Sequence, residues 1–322
     1  MSRRAFITLA GGAVGWSALA AHAQQQSMPV VGFLTIGPST ERSIVPFREG
    51  LADAGYVQGR NLTVEYSTGG PQAAPISSRA ASLVARPVSA IFVIGTEAAL
   101  AAKAATTSIP IVFVTGDDPV ARGLVAALNK PGGNVTGVSF VSAALASKRL
   151  QLLRSLVPRA GLIGLLSDTS PESRQQSSEA QVAARSLAQQ LIVHSVATDD
   201  EIDAAFADFV QRKADALLIA GGPFLFGRGS RLATLAERHA IPAIYTFRNF
   251  APGGLISYGA NFSDTVHQGG IYIGRVLRGE KPANLPVLQP TKFELVINAK
   301  TAKALGLELS PTLLALADEV IE

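Results

Sequence analysis

The sequence predicts an α/β protein made of two lobes, each with a parallel sheet that helices cover on both faces. Three observations support this prediction. Short apolar runs alternate with amphipathic segments along the chain, as in strands that are buried between helices. The strand-like runs of the first half recur in the same order in the second half. The chain has 322 residues, which suits two domains of ordinary size better than one.

The alternation begins with a short buried strand predicted at residues 30–34. A helix predicted at residues 43–54 follows it, with Phe47 and Leu51 on one face and Gly55 at its end. The same unit then repeats along the chain. The further strand candidates are residues 62–66, 90–94, 109–115, 162–166, 191–196, 216–220 and 241–245.

Three short motifs of the first half return in order in the second half. VGFL at 31–34 recurs as IGLL at 163–166, AIFVIG at 90–95 recurs as ALLIAG at 216–221, and SIPIVF at 108–113 recurs as AIPAIY at 240–245. Any two buried strands draw on the same few residue types. Three echoes in one order nevertheless favour an internal duplication, and therefore two similar lobes.

Residues 1–23 are predicted to be an export signal of the twin-arginine type. Arg3 and Arg4 precede a weakly apolar run over residues 9–20, and Ala21-His22-Ala23 is typical of a cleavage site. A membrane-spanning helix is the alternative, but about twelve apolar residues are fewer than the roughly twenty that a bilayer requires. We therefore expect the mature protein in the periplasm, with the signal cleaved near Ala23.

Composition excludes several classes of function. The chain has no cysteine, which excludes a lipid-anchored lipoprotein, disulfides, thiol catalysis and cysteine-ligated metal. Loss of the signal removes Arg3 and Arg4 and no acidic residue, so the formal charge of +4 falls to +2. Charged residues make up 16% of the chain, with no cluster of basic and aromatic residues. Nucleic acid is therefore not an expected partner.

The sequence contains no recognisable catalytic pattern. His194, His239 and His267 do not pair at the H-x-x-x-H spacing of a metal site. Neither a G-x-S-x-G nucleophile motif nor a phosphate-binding P-loop occurs. We predict a protein that is not an enzyme and has no catalytic residue, metal or cofactor.

Ligand binding is expected in the loops that follow the predicted strands, because open parallel sheets bind ligands beyond the carboxyl ends of their strands. Two facing lobes would form a cleft there. Hydroxyls and helix N-terminal amides could bind a carboxylate, and Asp117 or Glu97 could bind an ammonium group. The candidate ligand-binding residues are Thr35, Thr96, Glu97, Thr115, Asp117, Ser139, Phe140, Asp168, Thr169, Gly222, Phe224 and Phe247.

Some residues near these loops have a structural explanation as well. Asp118 before Pro119 is typical of a helix start, and we favour that role over ligand contact. Ser170 before Pro171 and Glu172 is also a predicted helix start. Phenylalanines in the loops could stack on an apolar ligand or pack in the core, and for Phe247 we favour the core.

Longer motifs extend over most of the chain. They include IPIVFVTGDDPV at 109–120, GLV at 123–125, PGGNVTGVS at 131–139, AIPAIY at 240–245 and GGLISYG at 253–259, with further marks over 149–158 and 279–298. These motifs resemble the ABC-transporter substrate-binding proteins of the tryptophan-type uptake group. The resemblance covers residues 28–322. It implies a type I periplasmic-binding fold, in which two Rossmann-like lobes are joined by a three-segment hinge and close around a small molecule.

The resemblance also implies lobe boundaries. It places the hinge crossings near Val141, Phe250 and Asn284. The first lobe would contain residues 28–141 and 255–283, and the second lobe residues 142–250 and 284–322.

The resemblance implies a function as well. The ligand would be an amino acid or related carboxylate, and the protein partners would be an ABC permease and its ATPase at the inner membrane. For a zwitterion, Ser139, Thr96 and Thr169 would be hydroxyl donors and Asp117 the carboxylate acceptor. The protein is expected to be a monomer. A periplasmic sensory protein that acts with a receptor is the alternative, and a secreted enzyme is the less favoured one.

Overall fold

The structure is a computed structural model, and it describes residues 28–70, 72–140, 145–248 and 253–322. The predicted export signal at residues 1–23 lies outside these described residues. So do the predicted hinge crossings near Val141 and Phe250. In the described part of the chain, no helix is both long enough and apolar enough to cross a membrane.

The first lobe is built on a parallel sheet of five strands. Its strands are β1 (Val30–Thr35), β2 (Thr63–Ser67), β3 (Ala90–Ile94), β4 (Ile111–Thr115) and β5 (Val135–Ser139), in the order β2-β1-β3-β4-β5. Its first three helices are α1 (Glu41–Asp53), α2 (Ile76–Val84) and α3 (Thr96–Ala105). Every residue of β4 is buried, which explains the apolar run at residues 111–114 of this interior strand.

The second lobe is built on a sheet of seven strands. The strands are β6 (Leu162–Asp168), β7 (Gln190–Val196), β8 (Ala216–Ile219), β9 (Ala243–Tyr245), β10 (Ile256–Gly259), β11 (Glu294–Asn298) and β12 (Glu319–Ile321). Their order is β12-β11-β10-β9-β8-β6-β7, and β10 and β11 pair antiparallel whereas the other pairs are parallel.

Eight further helices and one short 3-10 helix belong to the described part of the chain. The helices are α4 (Ala146–Leu156), α5 (Pro171–Ser186), α6 (Asp199–Gln211), α7 (Pro223–Phe226), α8 (Gly229–Arg238), α9 (Phe262–Leu277), α10 (Ala299–Ala304) and α11 (Pro311–Leu316). Of these, α9 packs on the first lobe, against α1, β3, β4 and β5. The 3-10 helix spans Pro282–Asn284 and contacts β5.

The two sheets share one strand order, which confirms the predicted two-lobe α/β fold. Strands β2-β1-β3-β4-β5 of the first lobe correspond in sequence to β7-β6-β8-β9-β10 of the second, which adds β11 and β12 at one edge. The three sequence echoes fall on β1 and β6, β3 and β8, and β4 and β9. Equivalent strands therefore carry the repeated motifs.

The chain passes between the sheets at positions that differ from the predicted boundaries. The predicted first lobe begins its second segment at residue 255, yet Ile256–Gly259 pairs with β9 and β11 in the second sheet. The predicted second lobe resumes at 284, yet the Leu288 amide donates to the Gly137 carbonyl at 3.0 Å and the Ser139 amide donates to the Leu288 carbonyl at 2.8 Å. Backbone pairing decides sheet membership. The two crossings therefore lie at residues 259–262 and 288–294.

Candidate functional site

A cavity of about 330 Å³ lies between the two lobes, at the carboxyl ends of both sheets. The first lobe lines it with the loop after β1, the first turn of α1, the start of α3 and the end of β4. The second lobe lines it with the first turn of α5, with α7 and with the loop after β9. This is the place at which open parallel sheets bind ligands, and the cavity volume is within the range of small-molecule sites, about 300–1,000 Å³.

Two helices of the first lobe begin at the cavity. Helix α3 begins there after Gly95, whose φ of 101° lies in the left-handed region that favours glycine. Helix α1 begins there after Thr40, whose amide donates to the Ser43 hydroxyl oxygen at 3.3 Å. The free amides and dipoles of such helices favour negative charge. The first-lobe side of the cavity therefore suits a carboxylate.

Four phenylalanines from both lobes form one side of the cavity, which we call the aromatic wall: Phe140, Phe226, Phe247 and Phe262. The ring centroids of Phe226 and Phe262 are 4.9 Å apart, and those of Phe140 and Phe247 are 5.4 Å apart. Each of these pairs joins a ring of the first lobe to a ring of the second. The aromatic wall therefore offers an apolar surface for a flat ligand group and spans the gap between the lobes.

A polar cluster lies behind the first-lobe wall. The Thr96 and Thr115 hydroxyls share a hydrogen bond, the Asp117 amide donates to the Thr115 hydroxyl oxygen at 3.2 Å, and the Ser139 hydroxyl donates to the Asp117 carbonyl at 3.0 Å. The Asp117 side chain is buried and its Oδ2 lies 3.5 Å from Arg122 Nε. Burial raises the pKa of Asp117, and the hydrogen bond from Thr96 and the charge of Arg122 oppose that rise. Thr115 lines the cavity, whereas the other predicted members of this cluster support it from behind.

Asp168 of the second lobe also has a supporting role. Its Oδ1 accepts from the Ser170 amide at 2.9 Å, and its Oδ2 accepts from the Phe224 and Leu225 amides at 3.0 and 3.3 Å. The carboxylate therefore caps α7 and fixes the start of α5. Gly222 lies directly against it, because a Cβ on residue 222 would overlap the Asp168 carboxylate.

The remaining candidate residues also divide into those that line the cavity and those that lie outside its lining. Thr35, Phe140, Gly222 and Phe247 line the cavity together with Thr115. Glu97 pairs with Arg122 at 2.7 Å. Thr169 is exposed, and the Phe224 ring lies under the Arg228 guanidinium, 3.6 Å from its centroid. Phe247, for which we favoured the core, is buried and also contributes to the aromatic wall.

The candidate residues did not include two charged side chains that line the cavity. Arg42 is the second residue of α1, and Glu172 is the second residue of α5. Glu172 reaches across to the first lobe, because a Cβ on Gly116 would overlap its Oε1. Each of the two residues follows the Thr or Ser at its helix N-cap, which is the local sequence of an ordinary helix start. Phe226 and Phe262 were missed as well.

A buried polar network supports the second-lobe wall behind Glu172. Arg149 is fully buried, its Nε donates to the Tyr258 carbonyl at 2.7 Å, and its Nη1 donates to Gln176 Oε1 at 3.2 Å. Gln176 in turn donates to the Gly221 carbonyl at 2.6 Å. Burial lowers the pKa of Arg149 to about 9, and the charge of Glu172 opposes this shift. A fixed positive charge therefore lies close to the Glu172 carboxylate.

Among the described residues, no group of three or more His, Cys, Asp or Glu side chains could bind a metal ion. The polar groups at the cavity are instead hydroxyls, amides and one charge of each sign. Such groups bind and orient a small polar molecule.

Comparison with known proteins gives consistent matches over most of the chain. The family described as ABC transporter substrate binding protein matches residues 29–321. A tyrosine-binding protein of Clostridioides difficile (strain R20291) is 29% identical over 274 residues, which are 84% of this chain and 78% of that protein.

Solved structures match as well. An ABC domain in complex with L-Trp from Streptococcus pneumoniae has a TM-score of 0.82 and 26% identity, with 92% of this chain and 100% of that chain covered. The ligand-free, open structure of a substrate-binding protein with adhesive properties from Clostridium difficile has a TM-score of 0.65 and 25% identity, with 91% and 99% covered.

Proposed function

This chain belongs to the ABC transporter substrate-binding protein family, and we propose that it binds an aromatic amino acid between its lobes and delivers it to a membrane permease. The observation that carries the proposal is the cavity of about 330 Å³, which has an aromatic wall on one side and helix N-termini on the other. An aromatic side chain would lie against the phenylalanines. The α-carboxylate would lie near the helix N-termini.

The similar proteins support an amino acid as the ligand. One relative is a tyrosine-binding protein, and one similar structure holds L-Trp. At nearly equal identity, the TM-score is 0.82 for the L-Trp complex and 0.65 for the open, ligand-free structure. The contact between Glu172 and Gly116 across the cleft agrees with a closed arrangement.

Closure would make the protein a carrier. Ligand contacts with both lobes stabilise the closed form over the open form, because only the closed form makes both sets of contacts. A permease that recognises the closed form would then receive loaded protein. We propose that this happens in the periplasm, with an ATPase on the permease as the energy source and with the chain acting as a monomer without catalysis.

The residues that we assign to ligand contact are those that line the cavity. Thr35, Thr115, Phe140, Gly222 and Phe247 would touch the ligand. Thr96, Asp117, Ser139 and Asp168 would hold the lining residues in place through the hydrogen bonds described above. The contacts of Glu97, Thr169 and Phe224 point to supporting roles at the cleft edge.

Thermal unfolding of the mature chain with added ligands tests the proposal. The panel contains L-tryptophan, L-tyrosine, L-phenylalanine, L-leucine, indole-3-propionate and a sugar. A ligand at one hundred times its dissociation constant stabilises the folded state by about 2.7 kcal/mol. We expect stabilisation by aromatic L-amino acids and not by the sugar. A response to the sugar alone, or to none of the amino acids, would contradict the proposal.

The transport step needs its own measurement. Cells that lack the protein should lose uptake of the labelled amino acid that binds, and the full-length chain should restore it. Normal uptake without the protein would leave the binding part of the proposal in place and contradict the delivery part.

A further inference from the structure

Two charged side chains occur among the described residues that line the cavity, and they have opposite signs and come from opposite lobes. Arg42 belongs to the first lobe and Glu172 to the second. The other lining residues are glycines, prolines, hydroxyl residues and apolar side chains. The charge at the cavity is therefore balanced, with one cation and one anion.

The two residues occupy equivalent positions in the repeated fold. Arg42 is the second residue of α1, which follows β1, and Glu172 is the second residue of α5, which follows β6. Strands β1 and β6 hold the same place in the two sheet orders. The internal repeat therefore brings the same helical position to the cleft from both sides, with an arginine on one side and a glutamate on the other.

The surroundings of Arg42 suit a carboxylate. Its side chain is exposed at the start of α1, beside Thr40 and Ser43. No carboxylate among the described residues forms an ion pair with it, in contrast to Arg122 and Arg228. A guanidinium next to the N-terminus of a 13-residue helix combines two groups that bind carboxylates, a planar hydrogen-bond donor and free amides.

The surroundings of Glu172 suit an ammonium group. Glu172 is half-buried, and its Oε1 lies against Gly116 at the place where the lobes meet. Arg149 approaches Glu172 from the protein interior, where the Tyr258 carbonyl and Gln176 fix the guanidinium. The attraction between these charges holds the carboxylate at the cleft wall. A ligand cation would approach it from the open side of the cavity.

We propose that Arg42 binds the α-carboxylate and Glu172 the α-ammonium of one amino acid, so that the ligand's own two charges join the lobes. This assignment rests on the proposed function and names the groups that recognise the class of ligand. It gives closure a specific cause, because a molecule with only one of the two charges contacts only one lobe through an ion pair. Such a ligand favours the closed form less.

The test uses two charge-removing variants and ligands that each lack one charge. Isothermal titration of the mature protein measures affinity for L-tryptophan and L-tyrosine, for the amines tryptamine and tyramine, and for the acids indole-3-propionate and 3-(4-hydroxyphenyl)propionate. Glu172→Gln should weaken the binding of the amino acids by about 10- to 100-fold and change the affinity for the acids by less than about 3-fold. An ion pair is stronger than a neutral hydrogen bond, and about 1.4 kcal/mol corresponds to a tenfold change in affinity. Arg42→Gln should weaken the binding of the amino acids by a similar factor and change the affinity for the amines by less than about 3-fold.

Matched controls separate charge recognition from a general effect. Glu179→Gln changes an exposed residue of α5, and Arg48→Gln changes an exposed residue of α1, and neither side chain lines the cavity. Both should keep wild-type affinity. Arg42→Lys keeps the positive charge and should retain most of the affinity that Arg42→Gln loses. Small-angle X-ray scattering should show that the amino acid compacts the wild type and compacts neither charge-removing variant.

The possible outcomes separate this proposal from the proposed function. Amino acid binding that both charge-removing variants keep would overturn the assignment and leave the proposed function in place. Equal losses for amino acids and for the single-charge ligands would also overturn it, because they would indicate a structural role. If the wild type binds no amino acid, the proposed function fails and this assignment fails with it.

Discussion

The two walls of the cleft come from lobes with the same strand order, yet they use their buried polar groups in different ways. In the first lobe, the hydroxyls and Asp117 bond mainly to one another and to the partly exposed Arg122. In the second lobe, the fully buried Arg149 joins α4, α5 and β10 directly behind the cleft.

The comparison shows where a repeated α/β fold presents charge to a ligand. Asp117 follows β4 and Asp168 ends β6, and both carboxylates are buried and bonded to their own lobes. The charges that line the cavity lie instead in the first turns of α1 and α5. An acid directly after a strand can turn back toward nearby amides, whereas the first turn of a helix projects into the cleft.

Removal of the second-lobe cation should have the largest effect on stability. Arg149→Met would leave the Tyr258 carbonyl, Gln176 and Glu172 without a buried cation, which typically reduces the free energy of unfolding by about 3–5 kcal/mol. The same change at Arg122, whose side chain is one-third exposed and whose shorter ion pair is with the partly exposed Glu97, should cost less, about 1 kcal/mol. Urea unfolding of both variants measures the contrast.

Lys148→Met provides the control for this experiment, because Lys148 is an exposed neighbour of Arg149 on α4. Its free energy of unfolding should stay within about 0.5 kcal/mol of wild type. Similar losses for the Arg149 and Arg122 variants would show that the two walls do not differ in the way described.

Addition of a methyl group at the point where the two walls touch should have the next largest effect, and this effect should be on ligand binding. In Gly116→Ala, the new Cβ would overlap Glu172 Oε1 and lie 2.6 Å from Phe140 Cε2. Since Glu172 belongs to the other lobe, the added methyl group opposes closure more than folding. We expect at least tenfold weaker ligand binding, measured by titration, and loss of ligand-induced compaction, measured by X-ray scattering.

Gly37→Ala is the matched control for closure. Gly37 lines the same cavity, but a Cβ there would meet no atom within 4 Å. Its affinity should stay close to wild type. Unchanged binding by Gly116→Ala would indicate that closure does not need the contact of Glu172 with Gly116.

Replacement of a phenylalanine that lines the cavity should have a smaller effect on ligand binding than Gly116→Ala. Phe224 and Phe226 both lie on α7, but only Phe226 belongs to the aromatic wall, where its centroid is 5.5 Å from that of Phe247. Phe226→Leu should weaken an aromatic ligand about 3- to 10-fold, since an aromatic pair contributes about 0.5–1.5 kcal/mol beyond its buried area. Phe224→Leu should change affinity less than twofold. A titration in which Phe224→Leu has the larger effect would reverse the assignment.

Much of the fold could be predicted because its signals are local. Buried parallel strands have continuous apolar runs, so β1, β3, β4, β6 and β8 were placed within about two residues. The edge strand β12 was not predicted, since Glu319–Ile321 is short and largely exposed. The segment that forms β10 was not among the strand candidates and was expected in the first lobe, because its pairing with β9 and β11 depends on backbone contacts that residue type does not encode.

The candidate site could be predicted only in part, for a physical reason. Strand ends locate the cleft, so the candidates included Thr35 and Thr115, which line the cavity. The direction of a side chain within a loop depends on its hydrogen-bond partners, and Asp168 turns toward the amides of α7, 56 residues away along the chain. Arg42 and Glu172 have the local sequence of ordinary helix starts, and only the arrangement of the two lobes brings them to one cavity.

The smallest expected effect concerns pH and the first-lobe wall. Burial raises the pKa of Asp117 above its usual value of about 4. Between that usual value and the raised one, the folded state binds more protons than the unfolded state, so the free energy of unfolding falls as pH rises through this window. Asp117→Asn carries no such proton. Urea unfolding at several pH values should therefore show the variant gaining stability relative to wild type as pH rises above about 4. A constant difference would show that folding leaves the pKa of Asp117 unchanged, and a difference that falls with pH would show that Asp117 is stabilised as a carboxylate, as its proximity to Arg122 alone would predict.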